Sequence, residues 1–126
     1  MVSADTNLIV RLVARDDPKQ VAHAEGFIHN GAWVSHVVLA EAVWVLAKAY
    51  QLDTKEQITI LEMLLNHESL RFQDQDVIVS ALNQFRSTPG VGFTDCLILE
   101  IARKAGHLPL GTFDRSLGKL DGARKL

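Results

Sequence analysis

The strongest constraint on the fold is an alternation. "VSAD", "AWVS", "LRFQ" and "PLGTF" read as short strands, and each is separated from the next by segments with helical periodicity. Helices are expected from about Asn7 to Ala14, from Pro18 to about Asn30, from Val37 to Tyr50, from the Leu52-Asp53-Thr54 junction to about His67, from Asp74 to Ser87, and from Thr94 to Ala105. Pro18 suits a first helical turn, Asp53 and Thr54 suit an N-cap, and Gly106 is placed as a C-cap. "STPGVG" is a loop, and a short turn follows the last strand to the C-terminus. Parallel neighbours cannot be joined by a hairpin, so strands separated by helices imply an α/β fold with a parallel sheet covered on both faces.

With 126 residues, no internal repeat and no linker-like tract, the expected organisation is a single domain over residues 1 to 126. No stretch approaches the roughly 18 apolar residues of a membrane span, and "MVSADTN" lacks a basic segment followed by an apolar one, so a cytoplasmic protein is expected. The lone Cys96 has no disulfide partner and no Cys or His at metal spacing, in keeping with a reducing compartment. A net charge of −2 argues against bulk electrostatic capture of nucleic acid. The charge is uneven, however: from Arg103 to Leu126 six basic residues face two acids, a local +4, which suits either a solvated surface or phosphate contacts.

Four acids stand out. Sites in parallel α/β sheets lie beyond the carboxyl ends of the strands. Asp5 closes the first strand, Asp114 closes "LGTFD", Asp95 opens the helix after "GVGF", and Glu41 sits one turn inside the helix after "AWVS". Each also has a local reading: Asp5 and Asp114 as caps or turn residues, Asp95 as an acid in the positive field of a helix N-terminus. On the helical wheel Glu100, Arg103, Lys104 and His107 form the expected solvated stripe, and Asp95 lies about 140° from Glu100. Glu41 has Val37, Val38, Trp44 and Val45 as its helical neighbours, so it needs either a cationic partner or an exposed edge running to Lys48. Phe27, Trp33 and Trp44 are expected to pack in the core, with a part in an apolar contact surface as the alternative. Only Arg115 adjoins any of the four acids, and it suits an ion pair with Asp114 or Asp121 as well as a phosphate contact. Carboxylates without cations repel, and a hard divalent ion, Mg²⁺ or Mn²⁺ before Zn²⁺, relieves the repulsion. Such a site suits hydrolysis of a phosphodiester by metal-activated water. A metal-dependent phosphohydrolase for small esters and a non-catalytic binding module are the alternatives. The former lacks a "DxD" motif and a glycine-rich phosphate cradle.

"ADTNLIVRLVARDDP", "VVLAEAVWVL", "GFTDCLILEIARKAG" and "TFDRSLGKLDG", in that order and spacing, resemble the PIN-domain family, and within it the VapC-type toxins of type II toxin–antitoxin pairs. The resemblance is weakest from about Asp53 to Ser87. It implies a three-layer α/β/α sandwich around a central parallel sheet and a Mg²⁺- or Mn²⁺-dependent endoribonuclease. It also implies a homodimer paired with a cognate VapB-type antitoxin. By motif, Asp5 and Asp95 are the implied central metal ligands, Glu41 and Asp114 complete the acidic set, and Asn7 and Thr112 support it. Gly92 and Ser116 stand where many relatives carry further acids, which weakens the case for a full second metal.

Overall fold

The computed structural model describes all residues, Met1–Leu126, and resolves them into two compact units, Met1–Gln73 and Asp74–Leu126. The first unit contains β1 (Val2–Ser3), α1 (Thr6–Ala14), α2 (Pro18–Ile28), β2 (Ala32–Val34), α3 (His36–Tyr50), α4 (Thr54–Leu65) and β3 (Leu70–Phe72). Its strands form one sheet in the order β1-β2-β3, parallel throughout, with Ser3 opposite Trp33 and Val34 opposite Phe72. The second unit contains α5 (Gln75–Ser87), α6 (Phe93–Ala105), β4 (Leu110–Thr112), a 3-10 turn at Leu117–Lys119, and β5 (Ala123–Lys125). β4 and β5 pair in parallel, with Gly111 opposite Arg124. Every strand pairing is therefore parallel, as the alternation requires. β5 is an addition, because the last residues were expected to form only a turn. Nothing in "ARK" alternates in a way that distinguishes a three-residue strand from coil. No helix is long and apolar enough to cross a membrane.

Local chemistry explains where the helices begin. Asp5, Asp17, Ser35 and Asp53 each occupy an N-cap in extended backbone, and each side chain accepts a hydrogen bond from the amide three residues on, at 2.8–3.2 Å. Glu56 returns the bond to the Asp53 amide at 3.0 Å and completes a capping box. At the C-terminal end of α6, Gly106 takes the left-handed conformation (φ 84°) and its amide bonds back to Ala102 and Arg103. Asp74, expected as a helical residue, is instead the N-cap of α5 at φ 36°.

The core of the first unit draws Ile9, Val10 and Leu12 from α1, Val21 and Ile28 from α2, and Leu39, Val43 and Leu46 from α3, all buried. In the second unit α5 packs on α6, and Phe85 meets Phe93 edge to face with ring centroids 6.0 Å apart. Three aromatic side chains depart from expectation. Phe27, Trp33 and Trp44 are 52%, 41% and 59% exposed, not buried. For Trp44 the reason is rotational: α3 buries His36, Leu39, Ala42, Val43 and Leu46, so the opposite stripe of Val37, Glu41, Trp44 and Lys48 faces solvent, with the Lys48 ammonium 5.4 Å from the Trp44 ring. Trp33 alternates with the buried Ala32 and Val34 on β2.

Truncating Phe85 to Ala is expected to lower stability by about 3–5 kcal/mol, because it empties a packed site. Asp53→Ala is expected to cost about 1 kcal/mol through the lost cap. Urea midpoints of the two variants, with unchanged m-values, check this ranking.

Candidate functional site

Parallel pairing sets the edge of the first unit at which functional groups gather. β1 and β2 run side by side in the same direction, so the segments leaving their carboxyl ends start from one edge of the sheet. Asp5 lies two residues beyond β1, and α3 begins two residues beyond β2. The start of α3 is tied to the end of β3: the His36 amide donates to Gln73 Oε1 at 2.9 Å. Asp5 caps α1 through Oδ1, which accepts from the Leu8 amide at 2.9 Å, and its side chain stays exposed with Oδ2 unengaged. The capping and metal-ligand readings of Asp5 are thus compatible: one oxygen serves the helix and the other is available. Asn7 is exposed on the first turn of α1 and makes no bond to Asp5.

Glu41 lies in the second turn of α3 and is exposed. Of the two outlets its apolar neighbours left open, the structure takes the edge to solvent, since Val37 and Trp44 on the same stripe are exposed as well. Its carboxylate needs no buried partner.

In the second unit Asp95 is the third residue of α6 and half-buried. Burial first, and the Asp114 carboxylate second, push its carboxyl above the ordinary value of 3.8, even in the first turn of a helix, where a carboxylate usually gains. Asp114 lies two residues past β4. Its amide donates to Thr112 Oγ1 at 3.0 Å, its Oδ2 accepts from the Leu117 amide at 2.7 Å, and its carbonyl accepts from the Gly118 amide at 2.9 Å. Thr112 thus fixes the backbone that carries Asp114. Arg115 is exposed and pairs with neither Asp114 nor Asp121; Arg103 takes Asp121 instead, donating to its carbonyl at 2.6 Å. No Lys or Arg forms an ion pair with Asp5, Glu41, Asp95 or Asp114.

One expectation for α6 is corrected. Glu100, placed on the solvated stripe, is buried and accepts from Arg103 Nε at 3.1 Å. The exposed side of α6 carries Ile98 and Ile101. Pairing with Arg103 explains why a charge tolerates that position. Cys96 is fully buried, and burial, then Asp95 and Glu100, push its thiol up to about 11, so it is a packing residue without nucleophilic character. Phe113, directly before Asp114 and just past the end of β4, is 81% exposed, a position that no local pattern in the sequence announces.

Neither unit by itself gathers three or more His, Cys, Asp or Glu side chains into a metal cage. The donor set nevertheless fits a hard divalent cation. All four acids offer oxygen, burial and the Asp114 carboxylate disfavour charge on Asp95, and no Lys or Arg pairs with either of these two.

Together these features define an α/β protein of parallel strands with acids placed just beyond strand ends and in the first turns of helices. The family model "PIN domain" matches residues 2–123, and the chain belongs to that family. PIN domains are generally nuclease folds of the α/β sandwich class and usually depend on metal. No curated protein and no solved structure matches the chain.

The raised Asp95 carboxyl has a sign. The native state holds this proton more tightly than the unfolded chain does, so the favourable contribution is present below the ordinary carboxylate value and is lost as pH rises through the raised one. Asp95→Asn is therefore expected to be more stable than the parent protein at pH 7, with the difference shrinking towards zero near pH 3. Denaturant midpoints at both pH values measure it; equal midpoints at pH 7 would remove the electrostatic penalty from the account.

Proposed function

We propose that the protein is a Mg²⁺-dependent endoribonuclease, with Mn²⁺ able to substitute, and that it acts as the VapC-type toxin of a toxin–antitoxin pair. The observation that carries this reading is the uncompensated acid pair Asp95–Asp114 in a chain of the PIN family. Asp5 and Asp95 are the central ligands in this proposal, with Glu41 and Asp114 completing the set. When bound there, the ion supplies charge neutralisation at the scissile phosphate and a water of lowered pKa.

The protein's own residues do the rest. Thr112 and the Leu117 amide hold Asp114 in one orientation, so its remaining oxygen needs no reorganisation on binding. The Leu8 amide does the same for Asp5. Arg115, exposed and unpaired, seats a phosphate of the RNA, and Asn7 is placed to hydrogen-bond substrate or a water near Asp5. The exposed Val37 and Trp44 on α3 favour an apolar protein contact, in keeping with a homodimer and a cognate antitoxin of the VapB type. A single domain over residues 1 to 126, working in the cytoplasm, completes the proposal.

The test is incubation of purified protein with total cellular RNA, with Mg²⁺ and with EDTA, followed by mapping of cut ends. Discrete fragments that vanish in EDTA are expected, and Asp5→Asn and Asp95→Asn are each expected to lower the rate by at least about a hundredfold. Glu41→Gln is expected to weaken metal binding and cleavage while the helix still forms. Full cleavage by both Asp variants would rule out the metal-site account. Hydrolysis of a phosphomonoester in place of RNA would identify a different phosphohydrolase.

A further inference from the structure

A cavity of about 460 Å³ opens between α1 and α2 in the first unit. Its size falls within the ~300–1,000 Å³ of sites that take small-molecule-sized groups. Leu8 and Ala24 supply its apolar floor, Phe27 one exposed aromatic ring, and Asn7, Gln20 and His23 polar side chains. None of those three polar side chains makes a hydrogen bond within the protein. Each carries both a donor and an acceptor. Arg11 stands at the same cavity in a fixed pose: its Nη1 donates to Asp16 Oδ1 at 3.0 Å, and the other oxygen of Asp16 accepts from the Tyr50 hydroxyl at 3.1 Å. The remaining guanidinium donors are unengaged.

This lining suits a planar heterocycle better than a peptide. An amphipathic helix or strand needs a continuous apolar groove, whereas here the apolar surface is one ring and two small walls, surrounded by unpaired donors and acceptors. A nucleobase needs the opposite balance, a face to stack on and an edge to bond. The position fits as well. The cavity begins at Asn7, on the helical turn that Asp5 caps, and ends at Arg11, six residues or about 9 Å along α1 from Asp5.

We propose that this cavity is a nucleobase subsite for single-stranded RNA, in which Phe27 stacks on one base, Gln20, His23 and Asn7 bond its edge, and Arg11 contacts the adjoining phosphate. The proposal deepens the ribonuclease reading and rests on it for the identity of the strand.

The test is fluorescence anisotropy of labelled single-stranded octamers of U, C and A binding to the full chain in EDTA, where no cleavage occurs. Phe27→Ala is expected to weaken binding roughly tenfold, with Phe27→Trp close to the parent protein. Gln20→Ala, at an exposed position, is expected to change the order of preference among the three octamers. Binding unchanged in both Phe27→Ala and Gln20→Ala would overturn the proposal. So would a loss of self-association in Phe27→Ala with RNA affinity intact, which would make Phe27 a protein contact. Phe27-dependent binding without any Mg²⁺-dependent cleavage would sink the catalytic reading and leave the subsite standing; cleavage with no Phe27 effect on affinity would do the reverse.

Discussion

Parallel strand pairing is the constraint on which the rest depends. A parallel neighbour cannot be reached through a tight turn, so the chain must cross back, through helices in the first unit and through a segment with a 3-10 turn between β4 and β5. In the first unit that requirement gives β1 and β2 a common carboxyl edge and starts α1 and α3 from it. The edge is where extended backbone turns into helix, and the residues best suited to that turn, Asp and Ser, cap the helices there. A fold of this kind therefore collects carboxylates and free helix amides at a strand edge before any function is asked of them. Asp5 shows the economy of the arrangement, with one oxygen committed to the Leu8 amide and one left over.

The second unit adds the electrostatic element. Burial, and then the Asp114 carboxylate just past β4, raise the carboxyl of Asp95 in the first turn of α6, and no Lys or Arg forms an ion pair with either. Elsewhere in the same unit the chain pairs its acids readily: Lys104 binds Asp76 at 3.0 Å, and Arg103 serves both Glu100 and Asp121. The absence of such pairing at Asp95 and Asp114 is thus selective. A structural acid in this unit has a basic partner, and these two do not.

Much of this was legible in the sequence because it follows from local rules. The strand and helix order, Pro18 at the start of α2, the cap at Asp53 and the glycine ending α6 all follow from periodicity and side-chain chemistry within a few residues. The losses are those that depend on what packs where. Glu100 is polar in sequence but lies buried against Arg103, and Trp44 and Phe27 are large and apolar but fall on faces that nothing in this chain covers. Glu41 went the same way: two of its apolar helical neighbours, Val37 and Trp44, are themselves exposed, so its surroundings are wetter than the sequence suggests. β5 is held by pairing with β4 alone, which no three-residue pattern announces. Of the candidate site, the positions of Asp5 and Asp114 just past strand ends and of Asp95 in a first helical turn were readable in the sequence; the Thr112 bond to the Asp114 amide, the unpaired state of Arg115 and the cavity between α1 and α2 required coordinates.

At the centre stands the proposal that Asp5 and Asp95 are both needed for metal binding. Calorimetric titration of Mn²⁺ into the parent protein, Asp5→Asn and Asp95→Asn tests it most directly. The expected result is weaker Mn²⁺ binding in each variant than in the parent protein. Unchanged Mn²⁺ binding in either variant would contradict it.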